Sequence, residues 1–197
     1  VKLYLAIGAC SQAPHICLRE AGATFDIAKV DLRSKKLTDG SDFLSINPKG
    51  YVPVLELDSG ERLSEVSAII QYIVDKHPSA NLAPPAGTME RYRWLEWLGF
   101  INSELHKGVG ALFHVDEAGR PKALAAAQRH IATVEKALDG REWLLGDHFS
   151  AIDAYLFVIL SWTKWVKVDL AEYKNCSAFV ARVVERPSVK EARAAER

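Results

Sequence analysis

The sequence predicts two domains of different class, an α/β domain of thioredoxin-like order followed by an all-α helical domain. Three observations carry this. Residues 1 to 80 alternate short strand-like and helix-like stretches, in the order β-α-β, a connection, then β-β-α. His77-Pro78 to Gly87 breaks that rhythm with three prolines, Pro78, Pro84 and Pro85, and residues 81 to 87 read as the linker. From Thr88 onward the spacing is helical to the end, so residues 88 to 197 are expected to form the helical domain.

Each element has its own signal. Leu3 to Ile7 is strand-like. Pro14 to Gly22 is helix-like, with Pro in its first turn and Gly at its end. Phe25 to Val30 is again strand-like. Val52 to Leu57 and Arg62 to Ser64 flank Asp58-Ser59-Gly60, a hairpin signal. Glu65 to Lys76 repeats apolar residues at Ile69, Ile70, Ile73 and Val74, as a helix does. Thr88 caps a helix with apolar positions Trp94, Leu98, Ile101, Leu105 and Leu112. Lys122 to Leu138 is Ala-rich and helical. Ser150-Ala151-Ile152-Asp153 has the form of an N-cap with an acidic third residue, opening a buried helix from Ala154 to Val166. Asn175 to Glu185 and Val189 to Ala195 are the last two helices, separated at Pro187.

Composition excludes several classes. Lys plus Arg (25) balances Asp plus Glu (25), so the neutral chain has no bulk attraction to nucleic acid or acidic membranes. No apolar run approaches the ~20 residues of a membrane helix. Val1 to Ala6 reads as a first strand, and a start at Val rather than Met reads as trimmed or altered. The three cysteines, Cys10, Cys17 and Cys176, form no disulfide framework and fit a reducing cytoplasm. The six histidines show no close ligand pair and the cysteines lack zinc spacing, so no metal is expected.

Cys10 follows the first strand and precedes the first helix. Free N–H groups at a helix start favour negative charge there and lower a thiol pKa. Cys10 is therefore a reactive thiolate, a thiol that binds another thiol, or a small buried residue. Cys10-Ser11-Gln12-Ala13 is not C-x-x-C, so a resolving thiol must come from outside. Cys17 and Cys176 read as packing residues. Asn47 to Pro53 is a turn-rich loop entering a strand. It is either a rigid turn or, with a cis Val52-Pro53 bond, an edge whose Val52 backbone pairs with an extended peptide. Glu65 is either favourable charge in a first helical turn or a partner for a ligand ammonium beside N–H groups that bind a carboxylate. Gly99, Asn102, Ser103, His106 and Gly110 share one helix face, which is either solvated or lines a cleft with His106 and Lys107 as donors.

Taken in order, several segments resemble bacterial beta-class glutathione transferases. They are Lys2-Leu3-Tyr4, Gly8 to Ser11, Ala13-Pro14-His15, Leu18-Arg19-Glu20, Val30-Asp31-Leu32 with Lys35-Lys36, Asn47 to Gly50, and Val52-Pro53. Ala68 to Tyr72, Glu90-Arg91-Tyr92, Ser103 to Lys107 and Asp153 to Phe157 continue the match over nearly the whole chain. The resemblance implies the glutathione transferase fold and an enzyme that conjugates glutathione, its co-substrate, to hydrophobic electrophilic small molecules. It also implies a homodimer. Cys10 and His106 would be catalytic, with Cys10 beside the glutathione sulfur and able to form a mixed disulfide with it. His106 and Lys107 would approach the same sulfur. Val52 would pair with the tripeptide backbone through a cis bond to Pro53, and Lys35 would meet the glycine carboxylate. Glu65 and the Val66 backbone would hold the γ-glutamyl end, and Ser103 and Glu104 would reach glutathione from a partner subunit. Val66 stands where the family has Gly or Ser, and Gly99 where it often has Asn. A non-catalytic glutathione-binding protein of the same fold is the alternative.

Overall fold

A computed structural model describes all of residues 1–197. It divides into two compact units, residues 1–82 with 187–197, and residues 83–186.

The first unit is built on a five-stranded sheet in the order β3-β2-β1-β4-β5. Strands β1 (Lys2–Leu5) and β2 (Asp26–Asp31) run parallel, joined by helix α1 (Gln12–Glu20). Strands β4 (Val54–Glu56) and β5 (Arg62–Ser64) form the hairpin, antiparallel to each other, with β4 antiparallel to β1. Helix α2 (Val66–Lys76) follows, which gives the expected β-α-β, β-β-α order. Strand β3 (Lys36–Leu37) pairs with β2 through two residues and was not anticipated. The sheet is covered because β1 is apolar on both faces. Leu3 and Leu5 are fully buried, as are Ile16 of α1 and Ile69 and Ile70 of α2. On the other face Tyr4 and Ala6 join Val30, Phe43, Val52 and Val54.

The expectation that residues 88 to 197 form one helical domain is corrected at its end. The last helix, α8 (Pro187–Glu196), belongs to the first unit. Polar groups buried along α1 hold it there. Glu196, only 1% exposed, accepts from Gln12 Nε2 (2.8 Å) and pairs with His15 Nδ1 (2.9 Å). Arg19 Nε donates to His15 Nε2 (3.0 Å). That donor fixes the tautomer: the imidazole hydrogen sits on Nδ1 and points at Glu196. Arg19 also bridges Glu191, and Ser188 donates to Glu20.

The second unit is helical. Helix α3 (Met89–Phe100) opens on Thr88, whose hydroxyl accepts from the Arg91 N–H (3.2 Å). It does not continue regularly. Residues Ile101–Leu105 form a π turn, and helix α4 (His106–Ala111) follows. Helices α5 (Arg120–Ala137), α6 (Ala151–Ser161) and α7 (Lys174–Val184) complete the unit. Every residue of α6 from Ala151 to Leu160 is buried. A helix apolar all round must sit at the centre of its bundle. Asp153 anchors its start, with Oδ2 accepting from the Ser150 N–H (2.9 Å) and hydroxyl (2.8 Å) and Oδ1 from the Leu144 N–H (3.0 Å). Glu135 of α5 does the same for α7 from a distance, accepting from the N–H groups of Asn175 (3.0 Å) and Cys176 (2.9 Å). No helix is long and apolar enough to cross a membrane.

Candidate functional site

In the first unit the candidate residues gather at one end of the sheet. Past β1, the chain turns at Ala6 to Cys10 and enters α1. Ser11 ties the turn down, because its Oγ accepts from the Ala6 N–H (3.1 Å) and donates to the Ala6 carbonyl (3.3 Å). Cys10 is thereby held just before the helix, half-buried, with Sγ 3.6 Å from the Val52 carbonyl oxygen. Two helix-start N–H groups expected to face the thiol are already occupied: Gln12 N–H donates to Ala9 O (3.1 Å) and Ala13 N–H to Cys10 O (3.0 Å). The Val52 carbonyl is a polar neighbour of the thiol and can accept from its S–H.

The loop opposite is shaped by Asn47, which is buried. Its Nδ2 donates to Tyr51 O (2.7 Å), and its Oδ1 accepts from the Lys49 N–H (3.2 Å). Gly50 has φ of +69°, which favours glycine, and a Cβ there would stand 3.2 Å from the Leu44 side chain. The loop delivers Val52, and the Val52-Pro53 bond is cis. The Val52 N–H has no hydrogen-bond partner within the chain, and its carbonyl meets only the Cys10 thiol. Lys35 belongs to the same loop cluster, with Nζ donating to Gly50 O (2.9 Å) and lying 5.8 Å from the centre of the Tyr51 ring.

Glu65 is not in the first turn of α2 but immediately before it, at φ +75°. A left-handed glutamate is held against its own steric preference, and such strain concentrates at binding sites. Its carboxylate is exposed and pairs with Lys49 Nζ (3.1 Å). No side chain caps α2, so the N–H groups of Val66, Ser67 and Ala68 lack partners. Val66 is buried and its side chain has no donor or acceptor. Cys10 and Val52 are thus in contact, Lys35 is built into the same loop, and Glu65 with Val66 forms an anion-accepting helix start paired to that loop through Lys49.

The second unit holds the remaining candidates on one stretch. Ser103 and Glu104 lie on the π turn and His106 and Lys107 directly after it. A π turn inserts one residue, re-aims the side chains after it, and recurs at functional sites. Ser103 Oγ donates to Gly99 O (3.0 Å) and lies 3.2 Å from Glu104 Oε1. His106 Nδ1 lies 2.6 Å from the Tyr155 hydroxyl, which donates to Asn102 Oδ1 (3.1 Å). The hydroxyl thus bridges His106 and Asn102. Tyr155 and Lys49 were missed as site partners. Both lie inside segments singled out in the sequence, but only distance reveals their roles.

Cys17 and Cys176 are buried, and burial pushes both thiols well above the ordinary range, which suits packing rather than chemistry. No group of three or more His, Cys, Asp or Glu is placed to hold a metal ion.

Comparison with known proteins gives one answer. Residues 7–76 match the model of the glutathione S-transferase N-terminal domain, and residues 115–182 that of the C-terminal domain. The chain is 42% identical, over its whole length and 98% of the relative, to glutathione S-transferase GstA of Escherichia coli O157:H7. The beta-class glutathione S-transferase of Sphingomonas chungbukensis superposes with a TM-score of 0.96 at 46% identity, over 100% of this chain and 98% of that one. A sphingomonad glutathione S-transferase complexed with glutathione superposes at 0.95 and 44% identity, over 100% and 98%.

Proposed function

The chain belongs to the glutathione S-transferase family, and from that premise we propose how it works as a glutathione transferase. Glutathione lies extended along the Cys10 end of the first unit. Its cysteinyl backbone pairs with the Val52 N–H and carbonyl as an added strand. Its γ-glutamyl carboxylate sits on the unpartnered N–H groups of Val66 and Ser67, and its ammonium meets Glu65. Lys35 takes the glycine carboxylate, and the ligand sulfur comes to rest beside Cys10.

The observation that carries this reading is the Val52 edge: an N–H without a partner within the chain, next to a carbonyl that meets only the Cys10 thiol. An incoming peptide strand supplies the acceptor that this N–H lacks. The family resemblance adds the rest. His106 and Lys107 are assigned to the reacting sulfur. Ser103 and Glu104 are assigned to glutathione held by a partner subunit of a homodimer. Three cysteines outside any disulfide fit a reducing cytoplasm.

An ordinary thiol of pKa ~8.5 is only a few per cent thiolate at pH 7, so stabilising the anion is the first task. The glutathione thiolate then attacks an electrophilic carbon; with chlorodinitrobenzene a C–S bond forms, the C–Cl bond breaks and chloride leaves. A second chemistry uses Cys10 itself. Its thiolate attacks the glutathionyl sulfur of a mixed disulfide, expels the other thiol and becomes Cys10–S–S–glutathione. A further glutathione thiolate releases glutathione disulfide and restores Cys10.

Two assays test the reading together. The protein is expected to be retained on immobilised glutathione and to conjugate chlorodinitrobenzene above the uncatalysed rate. Retention without turnover supports the binding-protein alternative, which the missing hydroxyl at Val66 favours. Failure of retention contradicts both.

A further inference from the structure

The second unit carries an open cavity of about 380 Å³, lined by Leu112, Phe113, Arg120, Trp165, Val166 and Lys167. That volume suits a single small aromatic molecule. Its apolar wall is unusual for a surface, because Phe113 and Trp165 are 44% and 52% exposed. The wall also continues to His106. Phe113 packs edge-on against Trp162 (centroids 5.7 Å apart), and Trp162 packs edge-on against the His106 ring (5.0 Å).

Two further lining residues, Arg120 and Lys167, are cationic. The partly buried Arg120 guanidinium donates to the Val166 carbonyl, and neither Arg120 nor Lys167 has a carboxylate within ion-pairing distance. Of the acids close by in sequence, Asp116 accepts from the Gly119 N–H (2.8 Å) and Asp169 from the Ala171 N–H (2.8 Å). Lys167 is held at φ +58°, a left-handed conformation rare for a lysine. Arg120 is also the first residue of the 18-residue α5, whose dipole adds positive potential at that end.

A guanidinium with unused donors beside exposed aromatic faces is a receptor for a flat ligand with an anionic end. We infer that this cavity takes the co-substrate as an aromatic carboxylate, its ring against Trp165 and Phe113 and its carboxylate on Arg120 and Lys167. This rests on the reading that the helical half supplies the co-substrate pocket, and it adds a substrate class to that reading.

The test uses binding, so it does not depend on turnover. Quenching of tryptophan fluorescence by 3,5-dinitrobenzoate and by its neutral isostere 3,5-dinitrobenzamide gives two dissociation constants. The wild-type chain is expected to prefer the carboxylate by about tenfold or more, the worth of a hydrogen bond to a charged group. That preference is expected to vanish in Arg120→Gln and to fall in Lys167→Asn, whose asparagine tolerates the left-handed backbone. Arg120→Lys is expected to keep most of it. Wild-type protein that binds both probes alike, or neither, overturns the inference. So does a preference unchanged in both neutralised variants. Chlorodinitrobenzene turnover by the wild type separately reads the conjugation proposal: its loss with the carboxylate preference intact contradicts that proposal alone.

Discussion

Replacing Cys10 with alanine is expected to lower glutathione-dependent disulfide reduction by more than about a hundredfold, while conjugation of chlorodinitrobenzene persists. The two chemistries ask different things of the same place. Disulfide exchange needs the Cys10 sulfur as attacking atom, and nothing in Gln12 or Ala13 offers a second thiol. Conjugation needs only the ligand's sulfur, held by Val52 and the start of α2. The 3.6 Å contact between Cys10 Sγ and the Val52 carbonyl sharpens the expectation. Removing the thiol leaves that carbonyl open to the glutathione cysteinyl N–H, so affinity for glutathione is not expected to fall. Steady-state rates with hydroxyethyl disulfide and with chlorodinitrobenzene, measured on one preparation, separate the roles. If both activities survive unchanged, Cys10 has no part in the chemistry. If both vanish together, its part is to hold glutathione.

The largest effect on stability is expected at Asp153. Asp153→Ala removes the acceptor of two backbone N–H groups, Leu144 and Ser150, and of the Ser150 hydroxyl, all in a buried setting. Leaving such donors unsatisfied costs about 3 kcal/mol, a large part of the ~5–15 kcal/mol that holds a protein folded. The effect has a pH signature. Burial pushes the Asp153 carboxyl up to about 6, against the pull of its three donors. The folded state therefore binds more protons than the unfolded chain between the ordinary aspartate pKa of ~3.9 and that value. This group's contribution is fully present below about pH 4 and declines as pH rises through about 6. The gap in urea unfolding free energy between wild type and Asp153→Ala is expected to be wider at pH 4 than at pH 7. A gap that widens with rising pH would show that the hydrogen bonds, not burial, govern the carboxyl.

Much of this architecture is written locally. The strand-helix alternation, the Thr88 cap and the Ser150 to Asp153 start of α6 all depend on residues within one turn of each other, and the structure has them where the pattern puts them. Three features depend on distance instead. Strand β3 pairs only Lys36 and Leu37 with Val30 and Asp31, too few residues to show a period. The π turn lies in an apolar spacing, Leu98, Ile101, Leu105 and Val109, that a regular helix shares. The docking of α8 on α1 joins His15 to Glu196 across 181 positions, and no local rule links them.

The candidate site divides in the same way. Cys10 at the strand-helix junction and Val52 before Pro53 are visible as residues at special backbone positions. What their environment does to them is not. The occupied N–H groups of Gln12 and Ala13, the Lys49 partner of Glu65, and the Tyr155 hydroxyl that bridges His106 and Asn102 are all products of folding. Val66 shows both sides: the missing hydroxyl is read from the sequence, but only the fold shows that the residue is buried.

The central claim is that glutathione lies along Val52 with its sulfur beside Cys10. A crystal structure of the protein soaked with glutathione tests it most directly. The expected density has the cysteinyl backbone paired with the Val52 N–H and carbonyl, the γ-glutamyl carboxylate on the Val66 and Ser67 N–H groups, and the two sulfurs in contact. Glutathione bound elsewhere, with the Val52 N–H still unpartnered, would contradict it.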